Sequence, residues 1–160
     1  MIMNFLFKRL MVSILAMFCF VDIHAMPRSV SYSGTGGVID FFCDIVRDSS
    51  CNSSKEIVQG VRYWKNKKYK KAFDIFAEFA KRGFRDAEFC LAVMYQYGWY
   101  GGSRIDEAVK LYKSLADKCY IPAMYNLAVC YEDGNGCSVD LAKAFSLYNK
   151  IQDVCYLMKK

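Results

Sequence analysis

An all-α chain, an α-solenoid of antiparallel helix pairs, is the fold class this sequence predicts, and three observations predict it. The stretch LAVMYQYG at 91–98 returns as LAVCYEDG at 127–134, 36 positions later. Alanine keeps the same interval at 72, 108 and 144, and Phe76, Tyr112 and Tyr148 keep it with a large ring. Inside each interval the apolar residues recur every three to four positions, the spacing of one helix face. A helix pair this short cannot bury its apolar side alone, so tandem copies cover one another.

The elements follow in order. Lys8 and Arg9 precede an apolar run from Leu10 to Val21, and Asp22-Ile23-His24-Ala25 ends in a small residue. Residues 1–25 therefore read as a cleaved secretory signal peptide. The run is shorter than the roughly 20 residues that cross a bilayer, so no membrane span is expected after cleavage. Residues 26–37, MPRSVSYSGTGG, read as a flexible lead-in. Residues 38–68 hold two N-terminal helices. Val38, Phe41, Phe42 and Ile45 stand at helical spacing, 49–54 breaks the pattern, and Ser53 with Glu56 forms the S-x-x-E cap of a second helix that carries Ile57, Val61 and Trp64 on one face.

The first full unit spans 69–104. Its helix A, about 69–82, packs through Ala72, Phe76, Phe79 and Ala80, and its helix B, about 86–97, through Ala87, Leu91 and Tyr95. The second unit spans 105–140, with Pro122 at the first turn of helix B, where its missing N–H costs nothing. Gly98 and Gly134 follow the two B helices, the place that favours a left-handed residue. Residues 141–160 carry one more helix A, a partial repeat or C-terminal cap.

Composition narrows the chemistry. The chain has 22 basic and 16 acidic residues, and removing Lys8, Arg9 and Asp22 with the leader leaves 20 and 15, a mild positive excess. The sole histidine, His24, leaves with the same segment, which removes Ser-His and Cys-His nucleophile pairs and histidine metal sites from the mature chain. The SGTGG run lacks the Lys-Ser/Thr of a phosphate loop, and Asp74 and Glu78 read as surface charge. No cofactor and no catalytic residue are expected.

Seven of the eight cysteines lie beyond the leader and none forms a CxxC pair, so disulfides are expected before zinc. Cys43–Cys51 is a candidate bridge between the first two helices, and Cys130–Cys137 between helix B and its following loop. Antiparallel packing brings the end of the second helix A, at Cys119, near the start of the first helix B, at Cys90. Sequence does not fix this connectivity. Were all three formed, Cys155 would remain over.

Two surface features invite a partner. Tyr97, Trp99 and Tyr100 stand where the second unit has Asp133, Asn135 and Gly136, so the scaffold does not require aromatics there. They read either as a protein-contact surface or as packing against the neighbouring loop and N-terminal helices. KNKKYKK at 65–71 reads as a solvated basic turn, with attraction to an anionic envelope polymer or lipid as the alternative. It lacks the arginine-rich pattern of a nucleic-acid surface, and no nucleic-acid partner is expected.

The pattern Ala-x3-Phe/Tyr, then Ala-x3-Leu-Ala-x2-Tyr, then a glycine-containing loop resembles the Sel1-like repeat family, a relative of tetratricopeptide repeats. The second copy, AMYNLAVCYEDGNGCSVDLAKAFSLYNK at 123–150, carries it most fully, and the resemblance covers about 60–155. Ala92 and Ala128 stand where the family usually has glycine. The resemblance implies an exported protein–protein interaction scaffold, periplasmic or secreted, in envelope assembly or host contact. Some cysteine-rich relatives imply an alternative, cell-wall (peptidoglycan) contact or the binding or hydrolysis of β-lactams. Those relatives join helix A to helix B within each unit, a pairing the cysteines here do not repeat.

Overall fold

The computed structural model describes residues 55–158. The leader, the lead-in, the helix expected at 38–48, the serine of the S-x-x-E cap, and Cys43 and Cys51 lie outside the described residues. Within them the chain forms six α-helices and no strand: α1 Lys55–Lys65, α2 Tyr69–Lys81, α3 Arg85–Tyr97, α4 Ile105–Asp117, α5 Ile121–Asp133 and α6 Leu141–Met158. Helices α2 to α5 are each 13 residues long, and α4 and α5 start 36 residues after α2 and α3. Each helix packs chiefly against its neighbours in sequence, as a solenoid requires.

The core is the seam between successive helices. Ile57, Val61 and Trp64 of α1 are buried, one above the other on one face. Ala72 and Ala108 have no exposed surface and Ala144 has 2%, so the repeated alanine occupies the same buried environment each time. With only a methyl group at the contact, two backbones approach closely while Phe76, Phe89, Tyr112 and Leu115 fill the space beside it. Each such large buried side chain contributes roughly 1.5–3 kcal/mol.

One repeat position shows how the seam is adapted. The Tyr112 hydroxyl, fully buried, donates to Gln96 Oε1 at 2.7 Å and accepts from Asn126 Nδ2 at 3.2 Å. One period on, the Tyr148 hydroxyl donates to Glu132 Oε2 at 3.1 Å. One period back the ring is Phe76, with no hydroxyl, and the residue facing it is Gly60, with no side chain. A β-carbon at Gly60 would lie 2.6 Å from Phe76 Cε1. Where the ring loses its polar atom, the facing helix loses the group that would have bonded it.

The helix ends also repeat. Gly98 and Gly134 close α3 and α5 in the left-handed region, at φ 64° and 69°. Trp99 N then donates to Met94 O and Asn135 N to Cys130 O, and Arg104 N donates to Tyr95 O as Asp140 N does to Tyr131 O. The loops WYGGSR and NGCSVD share these backbone bonds at equivalent places although their side chains differ. Asp140 adds a cap that sequence reading missed, its Oδ1 accepting from Lys143 N at 3.0 Å at the start of α6.

The expected bridges on described residues are not formed, since Cys90, Cys119, Cys130 and Cys137 are free thiols. The antiparallel geometry behind the Cys90–Cys119 expectation is present. Lys118 Nζ lies 3.1 Å from Glu88 Oε2, and the Tyr120 hydroxyl donates to Asp86 at 2.8 Å, tying the end of α4 to the start of α3. The two thiols nevertheless point to different media. Cys90 is wholly buried, and Cys119 sits exposed on a left-handed backbone at φ 56°. Cys137 does fold back onto α5, but its Sγ meets the Cys130 carbonyl at 3.4 Å while the Cys130 side chain stays in the core. Cys155 falls within α6.

Two outcomes follow from this core. Tyr112→Phe leaves Asn126 and Gln96 without their shared hydroxyl and lowers the urea-unfolding free energy by about 1–3 kcal/mol, while Tyr148→Phe, at a half-buried site, costs less. The second concerns alkali. Burial, with Cys137 and Asp133 nearby, pushes the Cys130 thiol up to about 12, and burial also raises Cys90 and Tyr148. An acid held neutral in the fold but free to ionise when unfolded stabilises fully below its unfolded pKa and progressively less above it. Unfolding free energy therefore falls as pH rises from about 9 towards 12, and Cys130→Ala flattens part of that slope in urea titrations.

Candidate functional site

The three aromatics singled out in the sequence lie on one surface but have different roles. Trp99 is a packing residue. Its ring centroid is 4.8 Å from that of buried Trp64 in α1, 6.1 Å from Tyr69 at the start of α2, and 5.1 Å from Tyr97, the last two nearly parallel to it. Tyr97 and Tyr100 are 40% and 36% exposed, with Tyr100 resting 5.0 Å from Phe73 of α2. Packing against the N-terminal helices is thus realised by Trp99, and the open faces belong to the two tyrosines.

The strip draws on Tyr95, read in the sequence as a packing residue, and on Phe73 and Arg104, which the sequence reading did not single out. Phe73 also meets Tyr95 at 5.8 Å, and the Arg104 guanidinium lies over the Tyr95 ring at 4.0 Å. Trp64, Tyr69, Tyr97 and Trp99 therefore form one cluster of rings and Phe73, Tyr95 and Tyr100 another, joined where Trp99 and Tyr100 are neighbours in the loop after α3. Ring pairs of this kind contribute about 0.5–1.5 kcal/mol each beyond their burial, enough to fix a loop containing two consecutive glycines, Gly101 and Gly102. The signal for this base was present in the positions of Trp64, Tyr69 and Phe73. Helical spacing put Trp64 on one face of its helix without saying which loop would land on it.

The basic run joins the same surface. Trp64 and Tyr69, the two rings that carry Trp99, stand at either end of Lys65–Lys68, and Lys65, Lys67, Lys68, Lys70 and Lys71 are all exposed. Lys71 Nζ sits 5.6 Å above the Tyr63 ring. Two features that looked separate in sequence, residues 65–71 and 97–100, therefore present lysines beside exposed tyrosines. Among the described residues no three His, Cys, Asp or Glu side chains converge as a metal site requires, and no helix is long and apolar enough to cross a membrane.

Comparison with known proteins agrees with this architecture. The Sel1 repeat family model matches residues 85–118 and 121–151. The matched windows begin 36 residues apart and open on α3 and α5, one helix later than units counted from helix A. Among solved structures, a Sel1 repeat protein from Oxalobacter formigenes shares the fold at a TM-score of 0.56 and 23% identity, over 63% of this chain. This chain spans 40% of the length of that protein. No curated protein matches. Sel1 repeats are protein–protein interaction modules, and the family is typically non-catalytic. In its repeated sequence and its stacked helix pairs, the chain carries Sel1 repeats at residues 85–118 and 121–151 and shares the fold of a solved Sel1 repeat protein.

Proposed function

We propose that this chain is an exported interaction scaffold that binds another protein through the aromatic strip bearing Tyr97 and Tyr100, with the lysines of 65–71 favouring an acidic surface on that partner. One observation carries the reading. Tyr97 and Tyr100 keep exposed faces on a base that Trp99, Trp64 and Phe73 hold rigid, at positions where the other repeat has Asp133 and Gly136. Tyrosines held in place lose little entropy on binding and dominate contact energies elsewhere. Export rests on the basic n-region and apolar run of residues 8–21, and a role in envelope assembly or host contact rests on the family resemblance.

The test is affinity capture from the cell envelope with the mature protein, followed by titration of the captured partner. Tyr97→Ala with Tyr100→Ala weakens that partner by more than about 1 kcal/mol and shifts stability little. Trp99→Ala, by contrast, lowers the unfolding free energy by about 2 kcal/mol, because it removes the ring on which the loop rests. Equal affinity for wild type and the double tyrosine variant removes the strip from consideration. Turnover of a chromogenic β-lactam, or retention on cell-wall fragments, would move the function to the alternative that the cysteine-rich relatives imply.

A further inference from the structure

A second surface lies away from the aromatic strip. Helices α4, α5 and α6 enclose an open cleft of about 260 Å³ whose floor is Ala116, Leu127, Tyr131 and Leu147. Lys113, Lys143 and Lys150 stand on its lining, against a single lining carboxylate, Asp117. Lys113 and Lys143 both converge on one ring, their Nζ atoms 5.8 and 5.5 Å from the Tyr131 centroid. Two ammonium groups beside one ring give the cleft a positive potential, which favours an anionic ligand. Asp140, outside the lining, holds Lys143 at 2.9 Å and shares it with any ligand.

The repeat separates what the fold needs from what it does not. One period earlier the floor positions are Ala80, Leu91, Tyr95 and Leu111, so Ala, Leu, Tyr and Leu recur unchanged. The lysine positions become Ala77, Glu107 and Ser114. The apolar floor belongs to the scaffold, and the three cations belong to this interval alone. Along α6, Lys143 and Lys150 are two turns apart, about 10 Å, with Ser146 and Leu147 between them. About three residues of extended chain cover that span.

We infer that this cleft binds an extended acidic peptide segment of a partner protein, its carboxylates on Lys113, Lys143 and Lys150 and an aliphatic side chain on Leu127 and Leu147. Acidity follows from three cations facing one carboxylate, and a peptide from the apolar floor, which an inorganic anion or a sugar phosphate leaves uncovered. The site stands independently of the aromatic strip, so either can fail alone.

The test titrates the full chain, labelled with ¹⁵N, with a capped peptide of alternating glutamate and leucine, and with its glutamine–leucine counterpart. The glutamate peptide shifts the amides around Lys113, Tyr131, Lys143 and Lys150 and binds more weakly as salt rises. Lys113→Ala, Lys143→Gln and Lys150→Ser together weaken it about tenfold, as expected of three exposed ion pairs worth about two- to threefold each. Lys55→Gln, Arg62→Gln and Lys81→Gln remove the same charge from exposed positions on α1 and α2 outside both surfaces and change affinity far less. Equal binding of the two peptides, or an equal loss in the two triple variants, overturns the proposal. So does tripolyphosphate saturating the same amides while the glutamate peptide leaves them unmoved. The comparison of the two peptides on the unaltered chain needs no variant to fold.

Discussion

Close approach of helix backbones at one small residue per interval is the constraint on which the stack depends. Ala72, Ala108 and Ala144 are buried at the same step of each helix A. A larger side chain there forces off-rotamer packing or backbone shifts, at about 1–3 kcal/mol, and displaces every neighbour further along. Because each helix packs mainly against the next, displacement at one contact has no distant contact to restrain it. The large residues around the alanines, Phe76, Phe89, Tyr112 and Leu115, fit only when that spacing is kept.

Within that constraint the chain varies in matched pairs. Gly60 faces Phe76, Gln96 faces Tyr112, and Glu132 bonds Tyr148, three solutions to one geometric problem. The loops after α3 and α5 solve theirs on the backbone, through left-handed Gly98 and Gly134 and the amide bonds that follow them. Side chains in those loops are consequently free to change, and they have changed, from Asn135 and Gly136 to Trp99 and Tyr100.

This division explains what was legible in the sequence. The period, the helix pairs, the buried alanines and the closing glycines could be read because each leaves a mark at a fixed interval within one chain segment. The base under Trp99 could not. Trp64 and Tyr69 reach it from two other helices, as Phe73 reaches Tyr100, and nothing in their own spacing names a loop some thirty residues away. The Cys90–Cys119 pairing is absent for a related reason. Topology placed Cys119 near Cys90, but side-chain direction decides whether sulfurs meet, and Cys90 turns into the core while Cys119 faces solvent. The Asp140 cap was hidden because an acidic residue before a helix resembles any other loop carboxylate until its geometry is known.

Binding capacity then follows from positions the scaffold leaves unassigned. A repeat that needs Leu, Tyr and Ala on its floor and Gly at its turns places no demand on residues 97, 100, 113, 143 and 150. At these places the two intervals differ in chemistry, tyrosine against Asp133 and Gly136, lysine against Ala77, Glu107 and Ser114. Helix packing fixes the backbones that carry these rings and cations before any partner is met. Preorganisation of this kind lowers the entropy lost on association, so modest surfaces of exposed tyrosine or lysine bind usefully. A stack of near-identical helix pairs thus gains specificity from a few residues at which its copies are not identical.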